Sequence, residues 1–206
     1  MAVKKTETFF LDHLGWTCAI AILMIVLSYF FLDIHLALLF HDIWPTESIL
    51  LHLFNELSNP NPQVLFWPVI FFVVRYVYNN RSAGEKILTI ALSVCVSNAI
   101  SIPMKMLLGR ARPALLFSEH VYSFDIFSAY TLHLSFPSGH AITIASVMGA
   151  LACYYPRYSM PLLFLALFMG FARVMATAHY LSDVLAGVLL GILISQWVFS
   201  RIKKCS

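Results

Sequence analysis

The stretch LGWTCAIAILMIVLSYFFL, from Leu14 to Leu32, contains no charged side chain. Its length matches what an α-helix needs to cross the ~30 Å hydrocarbon core of a bilayer. The whole chain of 206 residues is also rich in apolar side chains: 60% of the residues are hydrophobic and 11% are charged. Because a water-soluble domain carries about 25% charged residues, the sequence predicts an integral membrane protein built of helices.

Six apolar segments have the length and low charge of membrane-spanning helices. The first follows Lys4 and Lys5 and is too long for the apolar part of a signal peptide, so we interpret it as an uncleaved span. We therefore predict an all-α integral membrane bundle of six transmembrane helices, which forms a single domain over residues 1–206. The predicted spans cover about residues 14–32, 62–78, 87–108, 139–155, 161–178 and 181–200.

The connection between the first two predicted spans is acidic and lacks Lys and Arg. Part of it, ESILLHLFNEL from Glu47 to Leu57, has apolar residues at helical spacing. This pattern favours a short interfacial helix that lies on the membrane surface. A connecting helix within the protein body fits the pattern equally well.

Basic residues are divided unequally between the two sides of the predicted bundle. With six spans both termini lie on one side, and nine Lys and Arg residues fall there. The positive-inside rule places that side in the cytoplasm. Four basic residues fall on the opposite side: Lys105, Arg110, Arg112 and Arg173. The positive-inside rule does not account for their position, so they need another explanation.

Those four residues belong to motifs at helix junctions on the same predicted side. KMLLGRARP (Lys105–Pro113) ends the third predicted span, and FPSGHA (Phe136–Ala141) opens the fourth. ARVMATAHYLSD (Ala172–Asp183) joins the fifth to the sixth. The topology therefore predicts that all three motifs meet at one end of the bundle.

The motifs contain the donors that phosphate recognition requires. Lys105, Arg112 and Arg173 would form a positive pocket whose guanidinium groups match phosphate oxygens. Ser138 adds a hydroxyl donor, and Gly139 lets its backbone N–H, at a helix N-terminus, approach an anion closely. We predict that these five residues bind a phosphate.

Two histidines in the motifs supply reactive groups. His179 and Asp183 are four residues apart, which places them on one face of a helix. A carboxylate at one ring nitrogen fixes the tautomer and leaves the other nitrogen free to attack. His140 has no such carboxylate in its motif and fits a general acid that protonates a leaving oxygen.

The ordered set Lys-x6-Arg-Pro, Pro-Ser-Gly-His and Arg-x5-His-x3-Asp resembles the type 2 phosphatidic acid phosphatase (PAP2) superfamily, which includes bacterial membrane lipid phosphatases. The motifs lie at Lys105–Pro113, Pro137–His140 and Arg173–Asp183. The third motif of that family usually begins Ser-Arg, whereas this chain has Ala172 before Arg173. The difference removes one hydroxyl that could contact phosphate and no ionisable group.

This resemblance, with the predicted orientation, implies metal-independent hydrolysis of a membrane lipid phosphate or diphosphate at the extracytoplasmic face. It implies that His179 attacks phosphorus to form a phosphohistidine and that Asp183 orients His179. It also implies that His140 protonates the leaving group and later helps to activate water. No metal and no other cofactor are expected.

Arg110 and the long segment that follows it receive simpler interpretations. Arg110 is the one outlying basic residue without a place in the motif set, so we expect it to contact a lipid headgroup. The aromatic-rich loop from Arg110 to Ser135 either caps the site or lies on the outer leaflet, and is where substrate specificity is expected to reside.

Six further histidines lie outside the motifs, and five of them fall in the predicted connections between spans. His35, His41 and His52 resemble a metal cluster only loosely and fit solvated or interfacial residues better. His120 and His133 are expected to be solvated loop residues.

Two alternatives to hydrolysis stay open on the sequence. A lipid phosphotransferase would pass the same phosphoryl group to a second lipid, and a non-catalytic lipid-binding or transport protein would use only the cationic pocket. Phosphatidate, phosphatidylglycerol phosphate, polyprenyl diphosphate and lipid A 1-phosphate are all consistent substrates. The expected partners are this lipid and the bilayer of a bacterial inner membrane, with a periplasmic active site, and no nucleic acid.

Overall fold

The apolar segments fold into nine α-helices in the parts of the chain that the computed structural model describes, residues 14–43 and 49–205. Lys4, Lys5 and Glu47 lie outside these ranges. The helices are α1 (Leu14–Phe31), α2 (Asp33–Ile43), α3 (Ile49–Ser58), α4 (Pro60–Phe72), α5 (Arg81–Leu108), α6 (Pro113–Glu119), α7 (Gly139–Tyr154), α8 (Ser159–Met175) and α9 (Leu181–Cys205).

Among the described residues, three helical stretches are long and apolar enough to cross a membrane: Arg81–Leu108, Pro156–Met175 and Leu181–Lys204. The pair α1 and α2, bent by 61° at the break before Asp33, makes a fourth if it is counted as one span. The all-α membrane architecture is thereby confirmed. The count of six stays a prediction, because α4 and α7 are shorter, with 13 and 16 residues.

Helix α3 covers most of the segment for which we predicted an interfacial helix. One face packs on the bundle, with Leu51 and Ser58 buried and the Phe54 ring 5.5 Å from that of Phe168 on α8. The other face exposes apolar side chains, including Ile49 at 79%. Helix α3 is therefore part of the protein body, and its position at a membrane surface stays a prediction.

Close packing of α7 on α9 forms the centre of the bundle. A Cβ atom added at Gly187 would lie 2.8 Å from the carbonyl oxygen of Ser138, and one at Gly191 would lie 2.6 Å from that of Ile142. Only glycine therefore allows the two backbones to approach this closely, as in other membrane helix pairs with small residues four positions apart. The approach fixes the start of α7 against the start of α9.

The helix ends are arranged so that the three motifs share one end of the bundle. At the opposite end, Lys86 near the start of α5 donates a hydrogen bond to the hydroxyl of Tyr155, which follows α7, over 2.8 Å. Glu85 forms an ion pair there with Lys203, near the end of α9. The C-terminal end of α5 and the N-terminal ends of α7 and α9 consequently meet at the motif end.

Replacing Gly191 with alanine should separate α7 from α9, because the added methyl group has no space beside the Ile142 carbonyl. We expect a loss of about 1–3 kcal/mol in the free energy of unfolding, the usual cost of overpacking. Thermal unfolding in detergent measures the effect. Gly15→Ala is the matched control, since nothing lies within 4 Å of the new methyl group, and equal stability of the two variants would contradict the packing argument.

Candidate active site

The three motifs meet through both backbone and side-chain contacts. The backbone N–H of Ser138 donates to the carbonyl oxygen of Asp183 over 3.0 Å, which joins the second motif to the third. Lys105 from the first motif lies beside Gly139, its Cε 3.7 Å from where a Cβ would stand. The Lys105 ammonium donates to the carbonyl oxygen of Leu134 over 3.0 Å.

His179 is buried in front of Asp183. The Nδ1 atom of the imidazole lies 3.6 Å from Oδ2 of the carboxylate, and the two side chains are 3% and 0% exposed. Ser135 bridges them, because its hydroxyl donates to Oδ2 over 2.7 Å and lies 3.4 Å from Nδ1. The carboxylate side of the ring is thus occupied at Nδ1, which leaves Nε2 as the nitrogen available for chemistry.

The environment of His179 favours the neutral imidazole. Burial lowers its pKa to about 3, although the Asp183 carboxylate acts in the opposite direction. The positive charges of Lys105 and Arg173 oppose protonation as well. A neutral ring keeps an electron pair at Nε2, as a nucleophile requires.

His140 lies in the first turn of α7, half-buried on the same side of the bundle end. It directly follows Gly139, beside which the Lys105 side chain lies, and Ser138, whose backbone bonds to Asp183 behind His179. The structure therefore brings both motif histidines into one cluster of cations.

The three cations have neutral partners or spare donors. Lys105 is bound by a carbonyl oxygen, and Nη1 of Arg173 donates to the side-chain oxygen of Asn55 on α3. Within residues 14–43 and 49–205, no carboxylate lies within ion-pair distance of Lys105, Arg112 or Arg173. The Nε atoms of Arg112 and Arg173 and the hydroxyl of Ser138 are buried without a hydrogen-bond partner. An anion with several oxygens would satisfy these groups.

Arg110 is 1% exposed and lies behind the histidines, so the prediction that it contacts a lipid headgroup is wrong. Its Nη1 donates to Oδ1 of Asp183, and its Nη2 donates to Oδ2 of Asp33 over 2.7 Å. Burial alone would lower the pKa of this guanidinium, but the Asp183 and Asp33 carboxylates raise it above its ordinary value. Arg110 is the structural partner of both buried carboxylates.

The loop after α5 is anchored at its base by Gly109, which ends α5 in a left-handed conformation with φ 56°. A Cβ at this position would collide with the carbonyl oxygen of Asp125, so the close return of the loop requires glycine. The loop tip exposes Ile126 and Phe127, which are 65% and 78% accessible. Whether the loop caps the site or lies on the outer leaflet stays a prediction.

The other histidines among the described residues lie apart from this cluster. His35, His41 and His52 are exposed, and the described residues contain no group of three or more His, Cys, Asp or Glu side chains that could hold a metal ion. His120 is also exposed, whereas His133 pairs with Asp125 over 3.1 Å.

Sequence reasoning missed several residues that contact the motif side chains, among them Ser135, Asn55 and Asp33. Ser135 stands directly before FPSGHA, so its position was a usable signal. Asn55 and Asp33 reach the site from α3 and α2, far away in the chain, and nothing in their local sequence marks them.

Comparisons with known proteins agree with the motifs. The sequence model of the PAP2 superfamily matches residues 86–206. Proteins named lipid A 1-phosphatase from Rhizobium johnstonii and Rhizobium etli are 38% identical over 112 and 99 residues, which are 53% and 48% of this chain. These alignments cover 46% and 43% of the relatives, so the chain spans less than half the length of the curated relatives it matches.

Two further proteins are similar. The bacitracin transport permease protein BcrC of Bacillus licheniformis is 36% identical over 72 residues, covering 35% of this chain and 36% of that protein. The crystal structure of LpxE from Aquifex aeolicus superposes with a TM-score of 0.61 and 23% identity, over 82% of this chain and 95% of that chain. The second likeness shows a shared fold.

The buried neutral state of His179 predicts a pH-dependent stability. Its folded pKa of about 3 lies below the ~6.5 of a solvated histidine. Stability is therefore complete above pH ~6.5 and is lost as the pH falls towards the folded pKa, by up to about 1.4 kcal/mol per unit. Between pH 7 and 4, the wild-type protein should lose unfolding free energy more steeply than His179→Gln. Equal slopes in detergent would contradict the neutral ring.

Proposed function

Because the chain belongs to the PAP2 superfamily, we propose that it hydrolyses a phosphate from a membrane lipid phosphate or diphosphate without a metal ion. One observation carries the proposal: a buried imidazole, backed by a carboxylate, lies in a cluster of three cations to which the described residues bring no carboxylate within ion-pair distance. Such a site combines an activated nucleophile with an excess of positive charge for a phosphoryl group.

In the first step, Nε2 of His179 attacks phosphorus in line with the lipid oxygen. The N–P bond forms as the P–O bond to the lipid breaks. His140, which is protonated once the phosphate anion offsets the surrounding cations, donates its proton to the departing oxygen. Asp183 and Ser135 hold the proton on Nδ1 and stabilise the positive charge that develops on the ring.

In the second step, water attacks the phosphohistidine. His140, now neutral, accepts a proton from the water as the O–P bond forms and the N–P bond breaks. Inorganic phosphate leaves, and both histidines return to their initial protonation states.

Five residues are proposed to bind the phosphoryl oxygens during both steps. The ammonium of Lys105 and the guanidinium groups of Arg112 and Arg173 supply charge. The Ser138 hydroxyl and the Gly139 backbone N–H, at the N-terminus of α7, supply fixed donors. Because these donors are preorganised, we attribute most of the rate acceleration to them.

Among the candidate lipids, lipid A 1-phosphate has the most direct support, since two relatives bear the name lipid A 1-phosphatase. The reaction would take place at the periplasmic face of a bacterial inner membrane, with the termini in the cytoplasm. Arg75, Arg81 and Arg201 line one groove at the end of the bundle opposite the site, which fits a cytoplasmic end rich in basic residues.

A transport or lipid-binding role is the main alternative from another class, because one relative is named a transport permease protein. Such a role would use the cations and would not need His179 to react. A phosphotransferase differs from a hydrolase only in the acceptor of the phosphoryl group, so an added lipid acceptor distinguishes the two.

The test is phosphate release by the purified protein from a panel of lipid phosphates and diphosphates, with and without EDTA. We expect release that is unchanged by EDTA and that falls by several orders of magnitude in His179→Ala. The matched control is His35→Ala, which removes an exposed histidine from α2. No release from any lipid, release that is lost in EDTA, or a fully active His179→Ala protein would contradict the proposal.

A further inference from the structure

Behind His179, three charged side chains form a continuous buried chain, here called the Asp33–Arg110–Asp183 chain. One guanidinium joins two carboxylates; the Arg110 side chain is 2% exposed, and both aspartate side chains are 0% exposed. The formal charges of these three side chains sum to −1. Burying a net charge among apolar helices is unfavourable, so its presence needs an explanation that helix packing does not provide.

We propose that Asp33 and Arg110 are positioning residues of the reaction, which fix the orientation of Asp183 and preserve its negative charge for His179. The inference rests on the proposed phosphohistidine chemistry. It concerns Asp33, which lies outside the three motifs, and Arg110, a position of the first motif that has no assigned role in the reaction. Asp33 also lies outside residues 86–206, the region matched by the family model.

Arg110 fixes the orientation of Asp183 by binding only one of its oxygens. Oδ1 accepts from Arg110, whereas Oδ2 accepts from the Ser135 hydroxyl over 2.7 Å and from the Tyr180 backbone N–H over 2.9 Å. Oδ2 is the oxygen that faces His179. The carboxylate cannot rotate without breaking the contact to Arg110, so Oδ2 stays directed at the imidazole.

Arg110 itself is held rigidly. Its Nη2 donates to the Tyr122 hydroxyl over 2.9 Å, and its Nη1 donates to the Ser182 hydroxyl over 2.6 Å. The guanidinium carbon lies 4.5 Å from the ring centre of Tyr180 and 5.0 Å from that of Tyr29. These aromatic rings surround the cation and strengthen its electrostatic interactions by excluding water.

Asp33 offsets the positive charge of Arg110. Alone with Asp183, Arg110 would neutralise the carboxylate that must balance the positive ring of phosphorylated His179. Asp33 binds the other nitrogen of the same guanidinium and restores one net negative charge. It is held for this task by the Ser182 backbone N–H at 2.9 Å and the Ser28 hydroxyl at 3.0 Å.

Charge-changing variants separate this role from a structural one. Asp33→Asn changes the summed charge at positions 33, 110 and 183 from −1 to zero, and Arg110→Gln changes it to −2. The double variant returns this sum to −1. We expect Asp33→Asn to lower kcat with KM nearly unchanged, by on the order of 10- to 100-fold, below the roughly 100- to 1000-fold cost of losing a direct oxyanion contact. Arg110→Gln should also lower kcat.

The decisive measurement is the activity of the double variant Asp33→Asn/Arg110→Gln. If the net charge matters, its kcat exceeds that of at least one single variant; if the residues only support the fold, the two losses combine. Asp42→Asn, an exposed position on the same helix α2, is the matched control and should match wild type. Thermal unfolding of each variant accompanies the kinetics.

Two results would overturn the inference: wild-type kcat in Asp33→Asn, or a double variant no faster than the slower single variant. Neither result touches the proposed function, because wild-type phosphate release and its loss in His179→Ala are measured in the same assay. A rescue in the double variant without restored thermal stability supports the electrostatic role directly.

Discussion

The arrangement of the whole site depends on one buried contact, the guanidinium of Arg110 between Asp183 and Asp33. An isolated carboxylate within a helical membrane bundle would be protonated rather than charged. The cation makes an ionised Asp183 compatible with complete burial. It also ties the start of α9 to the loop after α5 and to the break between α1 and α2. The elements that carry the first and third motifs are therefore joined to the N-terminal helices by the same charges.

The second constraint is steric. Gly187 and Gly191 allow α7 to lie directly against α9, and the backbone N–H of Ser138 bonds to the carbonyl of Asp183. The N-terminus of α7 is thereby fixed next to the Asp183 carboxylate, behind His179. The proposed phosphate-binding terminus belongs to α7, whereas the proposed nucleophile His179 lies in the turn between α8 and α9. Small displacements between these elements would therefore misalign donors and nucleophile.

The sequence was sufficient to predict that the residues of the three motifs would meet. Lys105, Arg112, His140, His179 and Asp183 stand at helix junctions in three compact motifs, and the structure brings them together. Asp33 could not be predicted, because its contacts with Arg110 and Ser182 lie 77 and 149 residues away in the chain. The break in the helix before Asp33 contains no proline or glycine. Arg110 resembled a surface residue, because nothing in the sequence around a charged loop residue indicates that it is buried. Composition does not determine the number of spans either, because α4 and α7 are apolar but short and pack within the bundle.

The two groups of charges around His179 have a simple relation under the proposed chemistry. On the proposed phosphate side, Lys105, Arg112 and Arg173 carry three positive charges, and no carboxylate of the described residues pairs with them. On the other side, the Asp33–Arg110–Asp183 chain carries one net negative charge. A lipid phosphate with close to two negative charges brings the whole assembly near neutrality. The free site is then cationic and attracts phosphate, whereas the phosphohistidine state keeps the phosphoryl charge on one side of the ring and its counterion on the other. A site with only Asp183 and Arg110 behind the ring would be neutral there, and the positive imidazolium would face three further cations unopposed.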